Sequence, residues 1–158
     1  MKADGSDLRS VASSPGGYRV FPTWAPNGKI FFLRNGDVFA IKPDGSGLVR
    51  LTKRGDVVDY ALSPDNKRMA VHDVNSHRLL VIPVQGRATP VTLLAPISDF
   101  ITDPYAPPAW TPDGKALAVA SSDWQGEGSR LYVVNADRSV LSAVPGAGMA
   151  LDPAWRPR

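Results

Sequence analysis

Pro107-Pro108-Ala109-Trp110-Thr111-Pro112-Asp113-Gly114-Lys115 is the stretch on which the reading of this chain turns, because it occurs more than once. Phe21-Pro22-Thr23-Trp24-Ala25-Pro26-Asn27-Gly28-Lys29 repeats it, as does Asp59-Tyr60-Ala61-Leu62-Ser63-Pro64-Asp65-Asn66-Lys67. Asp152-Pro153-Ala154-Trp155-Arg156-Pro157-Arg158 is a fourth copy. The anchors Trp24, Leu62, Trp110 and Trp155 are spaced 38, 48 and 45 residues apart. A proline two residues on ends each strand's ladder, because it has no N–H to donate. Asn27-Gly28 and Asp113-Gly114 then supply the positive φ of a tight hairpin turn, and Asn66, the best non-glycine residue there, stands in for Gly in the second unit.

Three further strands follow each anchor. The second strands are Ile30-Phe31-Phe32-Leu33, Met69-Ala70-Val71 and Ala116-Leu117-Ala118-Val119-Ala120. The third are Val38-Phe39-Ala40-Ile41, Leu79-Leu80-Val81-Ile82 and Leu131-Tyr132-Val133-Val134. The fourth are Leu48-Val49-Arg50-Leu51-Thr52, Pro90-Val91-Thr92-Leu93-Leu94 and Val140-Leu141-Ser142-Ala143-Val144. We label the strands of a unit A to D. Four strands in about 40–45 residues is the period of a propeller blade. The expected fold is all-β: a β-propeller of three complete four-stranded blades plus a leading D strand and a trailing A strand. The blades run over 18–52, 53–94 and 95–144. Residues 1–17 are the tail of a preceding blade, since Lys2-Ala3-Asp4-Gly5-Ser6 matches Lys42-Pro43-Asp44-Gly45-Ser46, and 145–158 is a terminal strand A. Propellers have about 4–8 blades. The chain therefore reads first as part of a longer propeller, and alternatively as a piece that closes on itself or on a second copy through open blade edges.

The repeat resembles that of the TolB-like propellers, through Pro108-Ala109-Trp110-Thr111-Pro112-Asp113-Gly114-Lys115 and Ile41-Lys42-Pro43-Asp44-Gly45-Ser46. Leu62, Asn66 and Arg138 depart from that pattern. The resemblance implies a scaffold for protein–protein interaction in a periplasmic or extracellular setting, attached to the bacterial envelope. It also admits an accessory or gating propeller of a prolyl-oligopeptidase-like peptidase, or a ligand-sensing propeller of a signalling protein.

Composition narrows the chemistry. The 158 residues contain no Cys, which removes disulfides, thiol catalysis and cysteine-ligated zinc. No apolar run approaches the ~18 residues of a membrane span, and the first residues lack a signal peptide's apolar core. Net charge is +3, but 18 basic residues are interspersed with 15 acidic ones, so the basic patch that marks a nucleic-acid binder is missing. No nucleophile elbow, Walker loop or zinc-protease motif occurs. His72 and His77 read as polar residues flanking a turn, without a third ligand for a metal. Asp4-Gly5-Ser6-Asp7 and Asp44-Gly45-Ser46 read as turn chemistry, not calcium loops. Trp24, Trp110 and Trp155 read as core or inter-blade packing. The expectation is therefore a chain that is not an enzyme, with no cofactor and no metal.

One pattern goes beyond folding. The A–B and C–D turns hardly vary in length, whereas the B–C and D–A connections do. Arg34-Asn35-Gly36 and Lys53-Arg54-Gly55-Asp56 are short; Ala95 to Asp103 and Ser121 to Gly128 are long. Both kinds of connection lie on one face of an up-and-down blade, and insertions gathered on one face mark a binding face. Asp99, Phe100, Asp103, Asp123, Trp124 and His77 are the residues it would present to a partner.

Overall fold

The computed structural model describes residues 6, 8–12, 19–76, 78–85, 91–94, 101–102, 107–122, 129–137 and 141–144. All regular structure among them is β. The strands are β1 (Arg19–Trp24), β2 (Ile30–Arg34), β3 (Asp37–Ile41), β4 (Val49–Arg50), β5 (Val57–Leu62), β6 (Arg68–Asp73), β7 (Arg78–Pro83), β8 (Val91–Leu94), β9 (Ile101–Thr102), β10 (Ala109–Trp110), β11 (Ala116–Ser122), β12 (Ser129–Asn135) and β13 (Leu141–Ala143). They form three antiparallel sheets in sequential order: β1-β2-β3-β4, β5-β6-β7-β8 and β10-β11-β12-β13, with β9 also paired to β11. We call these the first, second and third sheets.

The repeated turn recurs three times, one residue shorter in the first unit than in the other two. Ala25, Ser63 and Thr111 each donate a backbone N–H across the turn, to Lys29, Arg68 and Ala116. Gly28, Asn66 and Gly114 take positive φ of 77°, 55° and 69°. The acid in the turn ties it down: Asp65 Oδ1 accepts from Ser63 Oγ and Lys67 N, and Asp113 Oδ1 from Thr111 Oγ1 and Lys115 N. Asn27 Oδ1 accepts from Lys29 N in the first. At the opposite face, Asn35 and Gly36 both have positive φ, as a two-residue hairpin with right-handed strand twist requires.

Alternation along the strands sends side chains to two separate cores. Phe31, Leu33, Val38 and Ala40 of the first sheet meet Val57, Tyr60, Met69, Val71, Leu80 and Ile82 of the second. Ala70, Leu79 and Val81, on the second sheet's other face, meet Trp110, Leu117, Val119 and Val134 of the third. The second sheet is thus buried on both faces, and β6 and β7 read as nearly unbroken apolar runs.

Departures from the expected strands have physical causes. The first fourth strand shrinks to β4 because Leu51 and Thr52 both turn their N–H groups onto one acceptor, Val38 O. Part of the long connection expected over Ala95–Asp103 is strand: β9 pairs with β11 at Ser121 and Ser122, beyond the place where β10 pairs with it. Pro107 and Pro108, just before β10, are not strand. The inner strands of the first and second sheets slip register, between Val20 and Thr23 and between Val57 and Asp59. The described part of the leading segment 1–17, which is residues 6 and 8–12, is not strand. The expected trailing A strand lies outside the described residues.

Trp110 and Trp24, expected to do the same job, part ways. Trp110 is 8% exposed, and its Nε1 donates to Ala61 O of the second sheet at 3.0 Å. The Arg68 guanidinium stacks over its ring. Trp24 is 65% exposed, and its expected packing is not formed. Replacing Trp110 by Phe keeps most of the apolar contact and removes the N–H donor. The variant should lose about 1–3 kcal/mol, from one hydrogen bond plus a small void, read from urea denaturation; an unchanged midpoint would exclude the bond as a determinant of the joint.

Candidate functional site

The connections between the first and second sheets converge on a buried polar knot, on the face singled out by loop length. Asp37 opens β3 immediately after the Asn35-Gly36 turn and is buried. Its Oδ1 accepts from Thr52 Oγ1 at 2.7 Å and from Arg54 N at 2.8 Å, and its Oδ2 pairs with Arg50. Thr52 Oγ1 in turn accepts from Val38 N. Arg54 reaches across to the second sheet, pairing with Asp73 through Nη2 and facing Asp56 Oδ1 at 3.3 Å through Nε. Asp73 also caps the next turn, accepting from Ser76 N. The backbone closes the same corner: Val57 N donates to Gly36 O, and Val74 N to Asp56 O. A Cβ on Gly36 would lie 2.2 Å from Gly55 O, so only glycine fits there.

Burial alone would raise the Asp37 pKa. The hydrogen bonds from Thr52, the Arg54 N–H, Arg50 and the Gly55 N–H outweigh burial and leave the carboxyl below its ordinary value. A depressed folded pKa means the stabilisation is complete above the unfolded value, about 3.9, and is lost as pH falls through the folded one. At neutral pH, Asp37→Asn should cost about 1–3 kcal/mol, and this difference from the parent should shrink towards zero in acid. Urea midpoints of both proteins across the acid range read this; a pH-independent difference would show that the charge of Asp37 is not what holds the knot.

A second constellation lies one residue from Asp73, on the other face of the second sheet. His72 and Asp59 sit directly opposite each other on β6 and β5, with His72 Nδ1 at 2.8 Å from Asp59 Oδ2. Their side chains are 2% and 0% exposed. His72 is therefore not the turn-flanking residue that its sequence position implies; it is a core side chain inside a strand. With Asp59 ionised, the Nδ1–H tautomer donates to it and the lone pair stays on Nε2. Nε2 is buried with no hydrogen-bond partner, as is Ser76 Oγ. The pair has the form of an oriented imidazole base. Its burial keeps it from a diffusible substrate in this conformation. Among the described residues no group of three or more His, Cys, Asp or Glu is placed to hold a metal ion.

The third constellation is a joint, not a pocket. Tyr60 Oη donates to Phe21 O at 2.7 Å, across from the second sheet to the first. Phe21 has a φ of 57° at the bulge of β1, rare for a bulky residue. Burial pushes the Tyr60 pKa up to about 12, with a contact to the Thr23 side chain acting the other way, so the phenol stays a donor.

The loop residues Asp99, Phe100, Asp103, Asp123, Trp124 and His77 lie outside the described residues. Sequence reading missed Asp37, Arg54, Asp73 and the Asp59–His72 pair. A signal for the pair existed: Asp59 and His72 interrupt two apolar strand runs at matched positions, where the first unit has Phe21 and Arg34. Its 13-residue separation hid it from a search for contiguous motifs.

No protein-family model matches the chain, and no curated protein resembles it significantly. Solved structures do. Dipeptidyl peptidase 4 of Porphyromonas gingivalis is similar over 85% of this chain and 26% of its own length, with a TM-score of 0.59 and 17% identity. A calcium-binding protein, regucalcin, from Agrobacterium tumefaciens matches over 89% and 50%, with a TM-score of 0.59 and 15% identity. A Bacteroides uniformis protein provisionally named a 6-phosphogluconolactonase matches over 90% and 48%, with a TM-score of 0.52 and 16% identity. The chain spans half or less of these proteins' lengths.

These likenesses correct the expectation that the chain is not an enzyme. The fold is shared with a regucalcin and a protein named as a lactonase, so neither a propeller fold nor a lack of contiguous motifs excludes catalysis. Asp59 and His72 come together from separate strands, an arrangement that a search for contiguous motifs does not see.

The Asp59–His72 pair makes a prediction of its own. Asp59→Leu alone leaves the buried His72 imidazole stranded and should cost about 3–5 kcal/mol, and His72→Leu removes the same contact from the other side. The double replacement should cost clearly less than the two singles summed. Additive losses in a denaturation cycle would show that the two side chains are not coupled. The described chain is all-β, its sheets antiparallel, and its structural likenesses are to β-propeller proteins as a class rather than to the TolB-like ones in particular.

Proposed function

We propose that the chain is a propeller segment of the TolB-like kind that serves as a scaffold for a protein partner. Its three blades run over 18–52, 53–94 and 95–144, with a leading D strand and a trailing A strand. The partner is met by the face carrying the B–C and D–A connections. The observation that carries this reading is the polar knot of Asp37, Arg54 and Asp73. It pins the short connections of that face to two sheets at once. A rigid floor of this kind lets longer neighbouring connections present Asp99, Phe100, Asp103, Asp123, Trp124 and His77 without losing their register. Aromatic residues set among acids also match the composition of binding hot spots.

Selection of displayed random peptides on the immobilised chain tests the reading. Binders should lose about thirtyfold in affinity, the size of a ~2 kcal/mol hot spot, with Phe100→Ala or Trp124→Ala. Lys67→Ala and Lys115→Ala, on the turns of the opposite face, should leave them unchanged. Binders indifferent to the first pair would sink the assignment of the face.

A further inference from the structure

The sequence holds two Asn-Gly steps, Asn27-Gly28 and Asn35-Gly36, and the fold treats them differently. An asparagine before glycine is the least hindered place for the following main-chain nitrogen to attack the side-chain amide. Both asparagines are exposed. In the A–B turn the reacting atoms are tied: Gly28 N donates to Ala25 O at 2.9 Å, and Asn27 Oδ1 accepts from Lys29 N at 3.1 Å. Asn35-Gly36 is the two-residue hairpin between β2 and β3, whose ladder ends at the flanking pair Arg34 and Asp37. The Gly36 amide lies outside that ladder. The turn is also held tightly against the next connection. Gly36 O accepts from Val57 N at 3.0 Å, and a Cβ at Gly36 would collide with Gly55 O. Asp37, the centre of the polar knot, follows directly.

We propose that Asn35 is a site of spontaneous deamidation and isomerisation, and that its isoaspartyl product undoes the polar knot. Gly36 N bonds to Asn35 Cγ as the Cγ–Nδ2 bond breaks; Nδ2 takes the Gly36 proton and leaves as ammonia. Water then adds to either carbonyl carbon of the resulting succinimide and breaks that carbon's bond to the ring nitrogen. Opening at Cγ gives back an asparaginyl main chain with an unamidated side chain, an ordinary aspartate. Opening at the main-chain carbonyl gives isoaspartate, whose main chain runs through Cβ and is one methylene longer. A two-residue hairpin closed by Arg34 and Asp37 has no place for the added atom, and the contact with Gly55 leaves none towards the second sheet. Asp37 is therefore carried off Thr52 and Arg54. This inference depends on the knot and not on what the loop face binds.

Peptide mapping by mass spectrometry of the intact folded chain, held in a mildly alkaline buffer, is the test; alkali speeds the step because the nitrogen attacks as its anion. Deamidation at Asn35 should outrun that at Asn27 about tenfold, the factor that hydrogen bonds at the reacting atoms supply. The two rates should converge in urea, where those bonds are gone. The isoaspartyl fraction, separated by ion exchange and scored with an isoaspartate-specific methyltransferase, should unfold at a lower urea midpoint, as is expected of Asp37→Asn. Asn35→Asp adds the charge without the methylene and should keep the parent's midpoint. Asn35→Gly suits the same turn, lacks the amide, and should hold a constant midpoint through the incubation. Conversion at Asn27 that equals or exceeds that at Asn35 in the folded chain overturns the assignment. An isoaspartyl fraction with the parent's midpoint, or an Asn35→Asp variant that loses as much as that fraction, overturns the link to the knot.

Discussion

Two hydrogen bonds from aromatic side chains to main-chain carbonyls organise everything else in this molecule. Tyr60 to Phe21 O and Trp110 to Ala61 O each join the inner strands of successive sheets. A carbonyl can accept from a neighbouring sheet only if its own ladder leaves it available. The bulge in β1 turns Phe21 O out of its pairing, and the backbone strain of a positive φ there is offset by the Tyr60 bond and by burial of the rings around it. The joints set which face of each sheet meets the next, and so which side chains reach each core. Met69 and Val71 enter one core and Ala70 the other because β6 is held between two such joints.

The polar knot depends on that arrangement. Arg54 can bridge Asp37 of the first sheet and Asp73 of the second only because the joint holds the ends of β3 and β6 near the same link. The knot is a consequence of packing that then stiffens it. The charged groups compensate one another and are tied to backbone N–H groups, which is what allows carboxylates to remain ionised in a buried corner. On the opposite side of the second sheet, Asp59 and His72 meet through Oδ2 and Nδ1, with His72 Nε2 buried and unpartnered. These two constellations make one end of the second sheet polar, whereas the strands leading to it are apolar.

Much of the architecture was legible because it is local. The three turns at Asn27-Gly28, Asn66 and Gly114 follow from residues that tolerate positive φ beside a proline that stops a ladder. The all-β character follows from apolar runs too short for helices between such turns. The candidate site was far less legible. His72 looked like a turn-flanking residue, and nothing about Asp37 or Arg54 in the sequence announced that they tie two sheets together. Trp24 and Trp110 have nearly identical surroundings in sequence, yet one is exposed and the other sealed. The pairing of β9 with β11 was hidden as well, since Ile101-Thr102 sits inside what reads as one long connection.

The sequence by itself determined the period, the turn positions, the strand order within each unit and the face of each strand that is apolar. These depend on interactions spanning a few residues: ladder termination, turn φ and side-chain alternation. Only the tertiary structure decided which sheet faces which, where the inner strands break and which charged side chains meet. Asp59 and His72, or Arg54 and Asp73, come together through strand pairing and sheet packing over separations that no short motif spans. Their pairing is set by desolvation, which exists only once the sheets have closed over them.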